Sequence, residues 1–290
     1  MIVGLGEVLW DIMPEGKSIG GAPSNFAYHA SQQGFQACVA SAVGNDSLGD
    51  EAIKTLESKG LKLCLSRVQQ PTGTVEVTID DKGVPQYDIK RDVAWDYIPY
   101  TPQMAKLAQS TRAVCWGTLA QRSETSHQTI CKFLDDMPKV GGLQQLKIFD
   151  VNLRQHFYNN SIIDASLKRC NILKINEEEI HTLSHLLELE KENDSSLCIR
   201  LMRRFDISIL LLTCGEKGSY AISHDEISYI PTPKVKVADT VGAGDSFTAA
   251  FAAALLNGDK LSRAHNHAVE VASYVCTKHG AMPPMPKDNE

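Results

Sequence analysis

The stretch that decides the fold is Asp239-Thr240-Val241-Gly242-Ala243-Gly244-Asp245-Ser246-Phe247, and an alanine-rich apolar segment runs on from Ser246 to Leu256. The glycines predict a tight turn that opens a helix. A helix N-terminus offers unpaired backbone amides and the positive end of the macrodipole, which suit an anion. Asp245 would repel that anion, so we interpret it as a base that takes a proton from a hydroxyl attacking a phosphoryl group. The alternative, that Asp245 only caps the helix, stays open at this point.

Composition is that of an ordinary globular protein and argues against several classes of function. The 290 residues are 43% hydrophobic and 22% charged, with a formal net charge of −6, which gives no support for nucleic-acid binding. No apolar segment is long enough to span a membrane, and the first residues lack the features of a secretory signal. The eight cysteines occur singly, without a CxxC pair, which predicts buried thiols in a reducing cytosol. We expect a cytoplasmic protein without a nucleic-acid or membrane partner.

Short apolar runs alternate with helical segments along most of the chain. Ile2–Leu5 and Ala113–Trp116 are apolar without alternation, as expected of strands covered on both faces. Such an order of elements predicts right-handed βαβ units. The expected fold is α/β, a mostly parallel sheet between helix layers, with residues 1–290 as a single domain.

One region departs from this order. Apolar and polar residues alternate with period two over residues 74–79, a turn follows at 80–83, and residues 84–90 are again strand-like. This pattern predicts a hairpin with one solvent-exposed face. We favour a small β lid, formed from about residues 12–19 and 70–98, that excludes water from the reaction. A homodimer surface and a plain edge hairpin of the main sheet are the alternatives.

A second glycine turn, Gly20 and Gly21, precedes a predicted helix. Asn25 near the start of that helix carries an amide, which suits hydroxyl groups because it donates and accepts without charge. Asp11 follows the first strand, where its carboxylate could hold two neighbouring hydroxyls of a sugar. The alternative for Asp11 is an exposed loop acid.

Polar residues also follow three later strand candidates, and ligands gather at the carboxyl ends of parallel strands. Arg154 could hold a hydroxyl or a phosphate. Residues 176–179 could reach magnesium through water, or simply favour a helix N-terminus. Residues 213–218 contain two glycines that permit a flat loop against a nucleotide, with a plain turn as the alternative. The Walker pattern is absent and the G-x-G-x-x-G pattern is incomplete, so a dinucleotide-binding fold is poorly supported.

Taken together, these motifs resemble the ribokinase-like (pfkB) family of sugar kinases over nearly the whole chain. Residues 239–251 match the more specific of the two family signatures, and Gly20–Gly34 matches the other. Residues 20–25 and 150–154 look most like the fructokinase branch. The resemblance implies ATP and magnesium as cofactors and a small sugar phosphorylated at a primary hydroxyl, with D-fructose giving fructose 6-phosphate as the leading interpretation.

The resemblance also implies roles for single residues. Asp245 is the catalytic base, and the backbone amides of Gly242, Ala243 and Gly244 form the hole for the transferred phosphoryl group. The sugar is held by Asp11, Gly20, Gly21, Asn25 and Arg154. The nucleotide side is formed by Asn176, Thr213, Gly215 and Gly218, with Glu179 reaching magnesium through water. A monovalent-cation site, with potassium as the hypothesis, falls at Asp239, Val241, Val275 and Gly280.

Some questions stay open on the sequence alone. Val269 stands where relatives have the Asn or His that contacts adenine, so the adenine contacts are not assigned. A ribokinase or a 2-keto-3-deoxygluconate kinase is the alternative within the family, and a sugar- or nucleotide-binding regulator on a kinase fold is the alternative outside enzymes. The exact acceptor, the oligomeric state and the extent of lid closure do not follow from the sequence.

Overall fold

The computed structural model describes residues 1–14, 16–79, 85–138, 142–189 and 193–286. The turn expected at residues 80–83 lies outside these ranges.

Within the described ranges the chain forms thirteen strands and nine α-helices. The strands are β1 (Ile2–Leu5), β2 (Leu9–Met13), β3 (Gly16–Gly20), β4 (Ala37–Gly44), β5 (Lys62–Val68), β6 (Gly73–Ile79), β7 (Pro85–Ile89), β8 (Ala113–Trp116), β9 (Leu146–Asp150), β10 (Ile172–Asn176), β11 (Ile209–Thr213), β12 (Ser219–Ser223) and β13 (Ile227–Ile230). The helices are α1 (Ala22–Gln32), α2 (Ser47–Ser58), α3 (Pro102–Ser110), α4 (Glu124–Asp136), α5 (Asn160–Leu167), α6 (Glu177–Leu186), α7 (Asp194–Phe205), α8 (Ala243–Leu256) and α9 (Leu261–Cys276). No helix in these ranges is both long and apolar enough to cross a bilayer.

The main sheet has the strand order β13-β12-β11-β10-β9-β8-β1-β4-β5. Neighbouring strands from β11 to β5 pair in parallel, whereas β12 and β13 pair antiparallel at one edge. Strands β1, β4 and β8 are buried along their whole length, as expected when both faces of a sheet are covered. Two apolar clusters form the core, one containing Trp116 and Phe149 and the other Phe26 and Phe251. The predicted α/β fold is confirmed.

A second, smaller sheet has the strand order β3-β2-β6-β7. β6 and β7 form the predicted antiparallel hairpin, and β6 adds to β2 in parallel. The hairpin is therefore not an edge of the main sheet, and that alternative is wrong. The small sheet starts at Leu9 rather than near residue 12, so it includes Asp11. Its action as a lid stays a prediction.

Helix α8 begins at Ala243, within the glycine turn that was predicted to open a helix. Gly242 precedes the helix with φ of 78°, a conformation that favours glycine. A methyl group on Gly242 would lie 2.6 Å from the carbonyl oxygen of Ala281. The glycine turn thus leads directly into the first helical turn, and Asp245 lies in that turn.

Candidate active site

Two helix N-termini meet at the edge of the main sheet where the parallel strands end. Asn25 in the first turn of α1 donates from Nδ2 to Oδ2 of Asp245 in the first turn of α8, at 2.7 Å. The two residues are 220 positions apart in the sequence. The fold therefore joins the two glycine turns into one site, at the sheet edge where α/β proteins bind ligands.

Asp245 has the environment of a general base. Its pKa is raised to about 6, chiefly by burial and next by the Asp150 carboxylate, while the Asn25 hydrogen bond and the charges of Lys174 and Arg154 act in the opposite direction. A carboxylate with this pKa is mostly ionised at neutral pH and is more basic than an exposed aspartate. Asp245 as a whole residue is partly exposed, although its carboxyl group is buried. The helix-cap alternative is not supported, because α8 has no side-chain cap hydrogen bond.

The first turn of α8 leaves backbone donors unused. Among the described residues the amides of Gly242 and Gly244 have no hydrogen-bond acceptor, whereas the Ala243 amide donates to the Thr240 carbonyl at 3.2 Å. Two of the three amides predicted to form the anion hole are thus free, and the third would have to share or exchange its partner. Unpaired amides at a helix N-terminus are suited to an anion.

Lys174 on β10 is a site residue that the sequence analysis missed. Its Nζ lies 3.2 Å from Asp150 Oδ1, and both side chains are at most 10% exposed. A methyl group on Gly244 would lie 3.3 Å from this Nζ, so the ammonium group lies beneath the glycine turn. Burial by itself lowers the pKa of Lys174, but the carboxylates of Asp150, Glu179 and Asp245 raise it overall, so the lysine is charged. The sequence signal that could have identified Lys174 was a charged residue inside the otherwise apolar strand 172–175.

Gly20 and Gly21, the glycines predicted to lie on the sugar side, have no room for a larger side chain because other atoms approach them closely. A methyl group on Gly20 would lie 2.5 Å from Asp11 Oδ2, so the predicted pair Gly20 and Asp11 are in contact. Gly21 has φ of 107°, and a methyl group there would lie 2.3 Å from the carbonyl oxygen of Glu7. Burial raises the pKa of Asp11 to about 6, so its carboxyl is shielded from water, as a hydroxyl-binding group should be.

Glu7 is a second buried acid that the sequence analysis did not assign. It follows β1 and is 2% exposed. Burial, followed by the charge of Asp245, raises the pKa of Glu7 to about 7, although Arg154 and backbone amides oppose the shift. Glu7 is therefore near enough to Asp245 for the two carboxylates to interact. The family resemblance assigns no role to Glu7.

Glu179 fastens the loop that carries Arg154. Its Oε1 accepts from the Leu153 amide at 2.9 Å and its Oε2 accepts from the Asn176 amide at 3.0 Å. Asn176 Oδ1 accepts in turn from the Glu179 amide at 2.9 Å, which completes a capping box at the start of α6. Arg154 itself is exposed, and its charge lowers the pKa of Asp245, so it lies near the base. The same loop reaches the small sheet, where Gln155 Nε2 donates to the Tyr87 carbonyl at 2.7 Å.

The loop after β11 closes on itself around its glycines. The Cys214 amide donates to the Gly218 carbonyl at 2.8 Å. Gly218 has φ of 138°, and a methyl group there would lie 2.5 Å from the Ile230 carbonyl oxygen. Gly215 faces open space and Thr213 ends the strand. The loop contains a short 3₁₀ turn, Gly215–Lys217, between the antiparallel strands β11 and β12, and its role toward a nucleotide stays a prediction.

Comparison with known proteins gives the family. A model of the pfkB family carbohydrate kinases matches residues 12–288. The chain belongs to the pfkB family of carbohydrate kinases. The predicted family resemblance is thereby confirmed.

Relatives of this pfkB kinase differ in their acceptors. The fructokinase of Klebsiella pneumoniae is 27% identical over 264 residues, covering 87% of this chain and 83% of its own length. A nucleoside kinase of Methanothermobacter thermautotrophicus is 28% identical over 281 residues, covering 93% of this chain and 82% of its own length. The solved structure of a Pyrococcus horikoshii sugar kinase in complex with ATP has a TM-score of 0.82 and 25% identity, covering 97% of this chain and 94% of that one.

The Asp239 side chain ties together two of the other predicted cation residues, Val241 and Gly280. Asp239 Oδ1 accepts from the Val241 amide and Oδ2 from the Gly280 amide, both at 3.0 Å. The Val275 carbonyl accepts from the Lys278 amide at 2.9 Å. Within the described ranges no cluster of three or more His, Cys, Asp or Glu side chains is arranged to hold a metal, so a monovalent ion here would depend mainly on carbonyl oxygens.

The last helix gives no polar adenine contact at the family position. Val269 is 7% exposed and belongs to the core. Its neighbours are engaged elsewhere, because Asn266 Nδ2 donates to Glu270 and His267 Nε2 bonds to Gln33 Oε1.

Proposed function

We propose that this pfkB kinase transfers the γ-phosphoryl group of ATP to a primary hydroxyl of a small sugar, with D-fructose as the leading acceptor and fructose 6-phosphate as the product. The observation that carries the proposal is the placement of a general base, Asp245, in the same helical turn as the free amides of Gly242 and Gly244. A base and an anion hole within four consecutive residues fit an attack of a hydroxyl on phosphorus.

The residues around this turn fit a nucleotide triphosphate. The free amides, the positive end of α8 and the Lys174 ammonium provide positive potential where the γ-phosphate would lie. Thr213, Gly215 and Gly218 form the loop proposed for the nucleotide, next to Asn176. Magnesium prefers oxygen ligands and is usually held by waters, substrate phosphates and one or two carboxylates, and Glu179 is the carboxylate proposed to accept from such a water. When bound, magnesium would neutralise phosphate charge.

The chain's own groups account for the proton and the position of the sugar. Asp11, Gly20, Gly21, Asn25 and Arg154 are proposed to hold the acceptor. Asp245 takes the proton of the attacking hydroxyl, the new bond forms between that oxygen and the γ-phosphorus, and ADP leaves with the electrons of the broken bond. The amides of the α8 turn stabilise the charge on the transferred group, an effect that typically contributes about 3–4 kcal/mol per donor. The small sheet, made of strands β2, β3, β6 and β7, is proposed as the lid of a single kinase domain.

Fructose is supported by the fructokinase relatives and by the fructokinase-like segments of the sequence. Arg154 favours a second candidate, because an exposed guanidinium near the base suits the carboxylate of 2-keto-3-deoxygluconate. ADP release with fructose, ribose, glucose, mannose and 2-keto-3-deoxygluconate tests both, with NMR of the product to locate the phosphate. Highest kcat/KM on fructose with phosphate on C6 supports the proposal, whereas turnover on none of these sugars would favour a regulator or another acceptor.

Two finer features complete the proposal. Potassium is proposed to bind at the loop that Asp239 ties to Gly280, and a potassium titration at fixed ATP that leaves the rate unchanged would count against it.

Two copies are proposed to associate through the small sheet, whose Tyr87 side chain is 55% exposed. Sedimentation of the wild type and of Tyr87→Ser tests this association.

A further inference from the structure

Glu7 lies against the first turn of α1 with an unused carboxyl oxygen. Its Oε2 is buried and has no hydrogen-bond partner among the described residues. A methyl group on Gly21 would lie 3.5 Å from Glu7 Cγ, and the Ala22 backbone amide lowers the pKa of the Glu7 carboxyl. The carboxyl therefore lies at the N-terminus of α1.

Asn25, in the first turn of α1, also has a side-chain oxygen without a partner. Its amide nitrogen in the backbone donates to the Gly21 carbonyl at 3.0 Å, which fixes the turn. Its side-chain Nδ2 donates to Asp245 Oδ2 at 2.7 Å, which leaves Oδ1 as the atom turned away from the base. That Oδ1 is buried and has no donor within the described part of the chain. Buried polar atoms without partners are rare, because each costs free energy.

A single proton on Glu7 Oε2, donated to Asn25 Oδ1, would give both atoms a partner. An ionised Glu7 can only accept, and so can Asn25 Oδ1, but a neutral Glu7 has a hydroxyl hydrogen to donate. Burial favours the neutral form of an acid, and the pKa of about 7 for Glu7 agrees with that.

We propose that Glu7, as the neutral acid, is a positioning residue that donates to Asn25 Oδ1 and so orients Asn25, and through it Asp245, for proton removal from the acceptor. The proposal rests on the proposed kinase function of the same site. Among the described residues, the charges of Asp245 on α8 and Arg154 after β9 act on Glu7. Cys115 on β8 also faces it, and burial raises the pKa of that thiol well above its usual range, so the thiol stays neutral and does not compete.

Kinetics of two substitutions test the role. Glu7→Gln keeps a neutral donor, so we expect kcat within about threefold of wild type near pH 6, whereas Glu7→Ala loses the donor and lowers kcat by about tenfold or more, as small misplacements of reacting groups do. The KM for ATP should stay within about twofold in both. Glu57→Gln, an exposed glutamate of α2, is the matched control.

The pH profile separates positioning from a merely structural role. In the wild type kcat should fall as pH rises past about 7, because Glu7 ionises and loses its donor, and Glu7→Gln should lack that alkaline decrease. The kcat of the double variant Glu7→Ala with Asn25→Ala should be no lower than that of Asn25→Ala alone, because the two substitutions interrupt the same chain of hydrogen bonds. The proposal would be overturned if kcat fell as far in Glu7→Gln as in Glu7→Ala, or if Glu7→Gln kept the alkaline decrease in kcat. Losses in kcat that add up in the double variant would also overturn it.

A measurement without turnover keeps the proposal distinct from the kinase assignment. Aspartate-selective ¹³C labelling follows the Asp245 carboxyl by NMR, with Asp245→Asn to assign the signal. We expect two titration steps in the wild type, because Glu7 also titrates nearby, and one step in Glu7→Gln. A single identical step in both proteins would refute the Glu7 proposal, whereas absence of sugar-dependent ADP release with two steps retained would refute only the kinase function.

Discussion

Replacing Lys174 by methionine should destabilise the protein and slow its reaction together. Methionine fills much of the volume of the lysine side chain but leaves the Asp150 carboxylate without its cation. The two groups are 3.2 Å apart, with side-chain exposures of 10% and 6%, so the pair is buried.

The magnitude follows from that geometry. Two unit charges 3.2 Å apart attract by about 5 kcal/mol at an effective dielectric constant of about 20. Removing one partner of a buried pair typically costs about 3–5 kcal/mol because the other charge stays buried and unpaired. We therefore expect Lys174→Met to lower the free energy of unfolding by about 3–5 kcal/mol. Loss of the charge beneath Gly244 should also raise the pKa of Asp245 and lower kcat.

The assay is urea unfolding together with the rate of ADP release. Lys168→Met is the matched control, because Lys168 pairs with Asp164 at 2.6 Å on an exposed helix surface, where a pair contributes about 0.3–0.5 kcal/mol. The double variant Lys174→Met with Asp150→Asn removes both charges and should recover much of the stability but not the rate. A loss below about 1 kcal/mol in Lys174→Met, as for a surface pair, would refute the reasoning.

Three further predictions concern the pH response and the glycine loop. Asn25→Ala should lower kcat/KM by about 10- to 100-fold and move its acid limb to higher pH, because the Asn25 hydrogen bond lowers the pKa of Asp245; an unmoved limb would contradict this. The folded pKa of Glu7 is raised from 4.5 to about 7, so the folded state binds more protons than the unfolded state between these values. Its contribution to the free energy of unfolding should therefore fall by roughly 3 kcal/mol as pH rises across that window, and urea unfolding of Glu7→Gln should show a flatter pH dependence. Gly218→Ala should weaken ATP binding measured by calorimetry, because its methyl group would lie 2.5 Å from the Ile230 carbonyl oxygen; an unchanged Kd would remove the glycine from the nucleotide loop.

The fold and the positions of the main motifs could be predicted because they depend on local sequence patterns. The apolar strands identify a covered parallel sheet, and the run at 239–247 identifies both a helix start and a base. Gly242 enters α8 through a left-handed conformation, which agrees with the predicted glycine turn at the start of the helix.

The missed residues belong to contacts between distant segments. Lys174 lies on an apolar strand, and its importance comes from Asp150 on the neighbouring strand and from Gly244 in α8. Glu7 follows a predicted strand, and only the packing of α1 against it shows that it is buried and that its Oε2 has no partner among the described residues. Such electrostatic environments depend on the whole fold, so no local spacing predicts them.

The most direct test of the account is the sugar-dependent release of ADP by Asp245→Asn, measured on the best acceptor with saturating MgATP beside the wild type and the exposed control Asp225→Asn. The account predicts that kcat falls by about 10²–10⁴-fold in Asp245→Asn, with the KM for ATP little changed and the control active. Retention of more than about a tenth of the wild-type kcat by Asp245→Asn would contradict it, because a general base in this reaction contributes at least about 10²-fold.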